Sequence, residues 1–159
     1  MTFLNRWKPD DILRIMNTHE ETTSEFIIGF DGYCNLCNRW VDYLIKKDHK
    51  DLFRFTALQS EIGKGFFVDK GYKESELETL DTIVVFNHAG ISVKSDAVMN
   101  ILIALGWPYK MVGIFRIVPV TLRNIFYDSV AKRRFNWFGR KKTCRIPSQD
   151  EKSRFLGSL

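Results

Sequence analysis

Phe26-Ile-Ile-Gly-Phe30, followed by Asp31-Gly32-Tyr33-Cys34-Asn35-Leu36-Cys37, decides how the chain is read. The first part is a short apolar run bounded by the turn-prone Asp31-Gly32, the mark of a buried strand. Beyond it Cys37, Trp40, Val41 and Leu44 recur at i, i+3, i+4 and i+7, which gives one buried helical face. That helix ends at Lys46-Lys47, where positive charge suits a C-terminus. A C-x-x-C pair therefore sits where a strand gives way to a helix. Free N–H groups and the positive dipole end favour a thiolate at the first cysteine. The second thiol lies on the same side, near enough to attack a mixed disulfide. Cys34 is the expected nucleophile and Cys37 the expected resolving thiol.

Outward from this junction, Leu52-Phe-Arg-Phe-Thr56 alternates as a second strand, and Gln59 to Lys70 predicts a helix. Thr82–Phe86 is a β-branched strand, turned by Asn87-His-Ala-Gly90 into Ile91-Ser-Val-Lys94. Ser95 is the expected cap of a helix whose Ala97, Val98, Ile101, Leu102 and Leu105 share a face, and Gly106-Trp-Pro108 stops it. Pro119 suits the first turn of a last helix, with Leu122, Ile125, Phe126 and Val130 expected inward. The order is β-α-β-α-β-β-α, an α/β class in which a right-handed βαβ unit makes parallel strands and a hairpin adds an antiparallel edge. Residues 1–25 read as a polar lead-in with one helix candidate, Asp10 to Met16. A single domain is expected over 26–156, helical from about 106, with 157–159 as a tail.

The chain has 159 residues, 45% hydrophobic and 27% charged, which is ordinary globular composition and speaks against wholesale disorder. No apolar h-region follows Met1–Lys8, and no apolar run approaches the roughly 18 residues of a membrane span, so a cytoplasmic protein is expected. Three cysteines do not make a secreted disulfide framework. The net charge of +5 is uneven: Lys132 to Arg145 holds seven Lys or Arg and no acid, whereas Asp69 to Asp81 is net acidic.

The run Phe30 to Cys37 resembles the signature of the DCC family, predicted thiol–disulfide oxidoreductases named for that Asp and the two Cys. Arg54-Phe55 through Leu58-Gln59-Ser60, Ser95-Asp96-Ala97-Val98, and Tyr127-Asp128 through Trp137-Phe138-Gly139 extend the resemblance over about residues 26–156. It implies a thioredoxin-like fold and reversible exchange at the Cys34–Cys37 dithiol. Neither a bound cofactor nor a metal is expected. The expected partners are a disulfide-bearing protein or small molecule and an electron donor that recycles the dithiol. Thioredoxins carry a cis-proline just before the strand corresponding to Thr82–Phe86. Here Leu80-Asp81-Thr82 stands without one, and the backbone of Asp81 and Thr82 is the expected substrate-pairing edge.

Other residues have two readings each. Asp31 is a proton acceptor for Cys37, or a helix cap and turn residue eased by Gly32. Cys144, among basic residues, is a bystander or a third redox thiol. The rival to an enzyme is a binding protein with a structural dithiol, or a zinc site built from Cys34, Cys37, Cys144 and His49 or His88. The tract Lys132-Arg-Arg-Phe-Asn-Trp-Phe-Gly-Arg-Lys-Lys142 suits nucleic acid or an anionic membrane surface. Its simpler reading is a solvated charged face with Phe135, Trp137 and Phe138 packed inward.

Overall fold

A computed structural model describes residues 26–78 and 82–157. The lead-in, its helix candidate and Asp81 lie outside the described residues. Four strands, β1 (Phe26–Phe30), β2 (Phe53–Ala57), β3 (Val84–Asn87) and β4 (Gly90–Val93), form one sheet in the order β2-β1-β3-β4. β1 runs parallel to β2 and antiparallel to β3, which pairs antiparallel with β4. The helices are α1 (Asn35–Lys47), α2 (Glu61–Asp69), α3 (Glu74–Glu78), α4 (Lys94–Leu105) and α5 (Val120–Phe138), with 3-10 segments at Tyr109–Ile117 and Gln149–Arg154. The architecture is mixed α/β and thioredoxin-like.

Because successive strand residues face opposite ways, the centrally placed β1 fills two cores. Ile28 and Phe30 join Phe53, Phe55, Val41, Leu44 and Ile101 beneath α1 and α4. Ile27 packs on the other face with Leu58, Phe67 and Leu77. Between them Gly29 lets α2 close on the sheet, since a Cβ there would stand 2.5 Å from both Leu58 Cδ2 and Phe67 Cε2. Phe155 inserts from the far C-terminal segment against Phe30 and Phe55.

Several local expectations change. The second helix is Glu61–Asp69, because Ser60 caps it by accepting from Gly63 N. α4 begins at Lys94 with no side-chain cap, and the Ser95 hydroxyl meets Asn124 Oδ1 of α5 instead. Leu122, Ile125, Phe126 and Val130 are exposed, not inward. α5 turns a more polar side to the protein: Tyr127 reaches Ile83, Asp128 pairs with Lys94, and Ala131 and Arg134 are buried. Trp137 and Phe138 are likewise exposed, while Phe135 is half-buried beneath the Arg134 and Arg140 guanidiniums.

The C-terminal segment is fixed at the end of α1 remote from the cysteines. Buried Asp48 accepts from Leu52 N and Phe53 N at 3.0 Å each, and Arg154 Nη1 meets its Oδ2 at 3.0 Å. Asp48→Ala should therefore lower stability by about 3 kcal/mol, and Asp48→Asn by clearly less, because the amide oxygen still accepts. Urea unfolding measures both. Thiol reactivity of the folded variants should match wild type, because the lesion is at the other end of the helix.

Candidate active site

The first turn of α1 and the C-terminal ends of the parallel strands β1 and β2 meet at one edge of the sheet. Open α/β sheets place their ligand sites beyond the strand carboxyl ends. The pairing of Phe30 with Ala57 brings Gly32 beside Gln59. Gly32 N donates to Gln59 Oε1 at 3.0 Å, and Gln59 Nε2 donates to Asp31 Oδ1. The buried Asp31 carboxylate also accepts from Tyr33 N at 2.9 Å, an Asx-type turn, and pairs with buried Arg134 of α5 at 3.3 Å. Asp31 is thus the turn residue; the cap of α1 is Cys34 itself, whose sulfur accepts from Cys37 N at 3.3 Å. Asn38 fastens the turn from within the helix, its amide donating to Gly32 O and Cys34 O at 2.9 and 2.8 Å.

All three cysteines are free thiols. Hydrogen bonding from the Cys37 thiol and N–H, aided by the positive charge of Arg134, brings the Cys34 pKa down to about 6 against the opposing effects of burial and Asp31. The Cys37 thiol is pushed far up, first by its hydrogen bond to Cys34, then by burial and by the Cys34 charge. The two shifts are opposite in sense, the Cys34 thiol held low and the Cys37 thiol held high.

Accessibility runs the other way. Cys34 is 0% exposed, while Cys37 is partly open. The cover is the strand-like segment after α5. Arg140 bridges Cys34 antiparallel, Lys141 N donates to Tyr33 O at 2.7 Å, and Arg145 N donates to Gly32 O at 3.1 Å. The end of α5 is tied down by Asn35 Nδ2, which donates to Phe138 O at 2.9 Å.

Cys144 arrives with this cover. Its sulfur lies where a Gly32 Cβ would be, and burial raises its pKa, contrary to the lowering its basic neighbours suggest. His49 follows the far end of α1, and His88 is in the β3–β4 turn at the opposite sheet edge, so the candidate zinc ligands are not brought together. Thr82 stands before β3 with its hydroxyl accepting from Lys94 N and donating to Ile83 O. Ile83 N donates to the Tyr127 hydroxyl at 2.9 Å.

Sequence reasoning did not single out Gln59, Asn38, Tyr127 or Arg134. Gln59 and Tyr127 fall in the blocks that carried the family resemblance, which was their available signal. Arg134 was hidden in a run of cations, and nothing local marked it as the buried one.

The fit between Gly32 and Cys144 is open to a double-mutant test. Gly32→Ala alone should cost about 2 kcal/mol, because the added methyl occupies the space of the sulfur. Combining it with Cys144→Ala should recover most of that loss, a coupling that urea unfolding of the four proteins measures.

The model of the DCC1-like thiol-disulfide oxidoreductase family matches residues 28–140. An uncharacterized protein of Bacillus subtilis (strain 168), YuxK, is 38% identical over 132 residues, 82% of this chain and 93% of its own. The DCC family protein At1g52590 of Arabidopsis thaliana, described as chloroplastic, is 32% identical over 134 residues, covering 80% of this chain and 76% of its own. No solved structure matches. With the matched region spanning the strand, the dithiol and the arginine that braces it, the chain belongs to the DCC1-like thiol-disulfide oxidoreductase family.

Proposed function

We propose that the chain reduces disulfides in a cytoplasmic, reducing compartment, with Cys34 as nucleophile and Cys37 as resolving thiol. The observation that carries this is the Cys37 N–H, 3.3 Å from a helix-capping Cys34 sulfur whose pKa is brought down to about 6. The Cys34 thiolate attacks one sulfur of a substrate disulfide; a Cys34–substrate bond forms, the substrate S–S bond breaks, and a substrate thiolate leaves and takes up a proton. Cys37 then gives up its proton and attacks the Cys34 sulfur. The Cys34–Cys37 disulfide forms and the second substrate thiol departs. Two electrons and two protons pass to the substrate, and an external thiol donor restores the dithiol.

The resolving step needs a base, because Cys37 is the thiol whose ionisation is opposed. We assign that proton to Asp31, whose charge bears on both thiols. Three of its roughly four acceptor positions are taken by Tyr33 N, Gln59 and Arg134, which leaves room for one more hydrogen. The Thr82 backbone is the substrate-pairing edge of this reading, bordered by Tyr127. For Cys34 to react, the Arg140–Arg145 cover must lift.

Burial points to Cys37 as the labelled thiol and electrostatics to Cys34. Brief alkylation near pH 6.5, mapped by mass spectrometry, distinguishes them: Cys34 should be modified first, with a rate that inflects near pH 6. Cys37→Ala should move that inflection upward, and Cys37→Ser, which keeps a donor, should move it less. Preferential labelling of Cys37 would exchange the two roles. The same shift makes the reduced protein gain stability as pH rises from about 6 toward the free-thiol range near 8.5, since there the unfolded chain binds the extra proton.

Asp31→Asn should slow mixed-disulfide resolution, with partial rescue at higher pH, where Cys37 ionises unaided. It should also cost about 2 kcal/mol, because the buried contact between Arg134 and Asp31 loses a charge. Normal resolution kinetics in a folded Asp31→Asn protein would reduce Asp31 to architecture.

A further inference from the structure

The outer surface of the C-terminal third is apolar in a regular way. In a 3-10 helix, residues three apart lie in line. Met111, Ile114 and Ile117 occupy such a line in the Tyr109–Ile117 segment, and Ile117 is 82% exposed. Along α5, Leu122, Phe126, Val130, Arg133 and Trp137 follow the spacing of one α-helical stripe, and Phe126 is 69% exposed. Trp107, 79% exposed, stands at the start of the 3-10 segment. Both elements pack on α4 with their other sides, Gly113 lying against Ile103 and Arg123 against Asp96 and Met99. A monomer rarely leaves so many large apolar side chains to water.

Charge says what covers it. From Ala97 to Gln149 there are ten Lys or Arg and one acid, Asp128, whereas the rest of the chain has fourteen cations and eighteen acids. Lys110, Arg116, Lys132 and Arg133 are exposed on the same two elements, and Arg140, Lys141 and Lys142 on the segment that follows α5. A second copy would bring two cationic faces together. Nucleic acid would offer bases for stacking, which Phe126 and Trp137 can use but Ile114, Ile117, Ile125 and Leu122 cannot. Aliphatic side chains flanked by cations and Trp are the composition of a helix lying in a lipid interface. No described helix is long and apolar enough to cross a membrane, so contact would be at the surface.

We propose that the outer face of the 3-10 segment and α5 docks on an anionic lipid bilayer, apolar stripes among the acyl chains and the cations against headgroup phosphates. Arg133, whose guanidinium lies 5.9 Å over the Trp137 ring, stands at the junction of the two. The docked face ends beside the dithiol, since Asn35 holds Phe138 at the end of α5. Disulfides presented at the bilayer surface are then the substrates brought within reach.

The test is co-sedimentation of the full reduced chain with vesicles of phosphatidylcholine alone and of phosphatidylcholine with about one-third phosphatidylglycerol. Binding is expected to the second only, weakened but not abolished by salt, with a blue shift in emission that Trp107→Phe plus Trp137→Phe removes. Ile117→Ser with Phe126→Ser should lower the partition coefficient at least about tenfold, and Lys132→Glu with Arg133→Glu by a similar factor. Unchanged thermal melting and thiol titration of these variants would show that the fold is intact. Failure to bind either vesicle would overturn the proposal, as would binding insensitive to Phe126. So would a Phe126-dependent dimer in ultracentrifugation, or oligonucleotide binding that the same substitutions abolish while vesicles are ignored.

Discussion

A carboxylate buried at the end of the central strand sets the terms for everything around it. Asp31 is taken out of water by the same turn that delivers Cys34 to the helix, and an ionised carboxylate there is tolerable only if donors accompany it inside. The Tyr33 amide, Gln59 from the end of β2 and Arg134 from α5 are those donors. Satisfying one charge therefore recruits a neighbouring strand and a helix from the far end of the sequence. The recruitment of α5 also sets the path of the chain beyond Arg134, which has to cross the dithiol and does so as the Arg140–Arg145 cover.

Two charges of opposite sign then act on two sulfurs. Arg134 favours thiolates and Asp31 opposes them, so the pair contributes less to the asymmetry between the cysteines than the local hydrogen bonds do. Helix geometry breaks the tie. Cys34 occupies the cap, where backbone N–H groups lack partners, and Cys37 is already within the helix with its own N–H aimed back at Cys34. Position in the helix thus helps to hold the Cys34 thiol below its ordinary range and the Cys37 thiol above it, the asymmetry that the proposed attack and resolution would use.

The parts legible in the sequence were those whose signal is local. The β1–α1 junction could be read from Phe26–Cys37 because strand burial, the Asp-Gly turn and helical spacing coincide within a dozen residues. The element order came from the same kind of signal. The inward side of α5 is not legible in this way, because hydrophobic spacing locates a stripe but not what it faces. Here the protein-facing side is Asn124, Tyr127, Asp128 and Arg134, polar residues whose value lies in partners distant in sequence. The place of Cys144 was equally closed to local reading: its contact with Gly32 is set by the cover, which no local pattern encodes.

The orientation of α5 also links the site to the outer surface. A helix that satisfies buried polar groups with one side must leave its apolar residues on the other, because both periodicities fit the same 3.6-residue turn. Arg134 is buried and Tyr127 half-buried, whereas Leu122, Phe126, Arg133 and Trp137 are exposed. The demand for a cation at Asp31 and the exposure of an apolar, basic face are two consequences of one helix orientation. Rotating α5 to bury the stripe would withdraw Arg134 from Asp31 and leave a carboxylate unpaired inside the protein. The cost of that unpaired charge, on the order of 3–5 kcal/mol, is comparable to the gain from burying two large side chains, and the contacts of Tyr127, Asp128 and Asn124 would be lost with it, so the polar side holds the orientation.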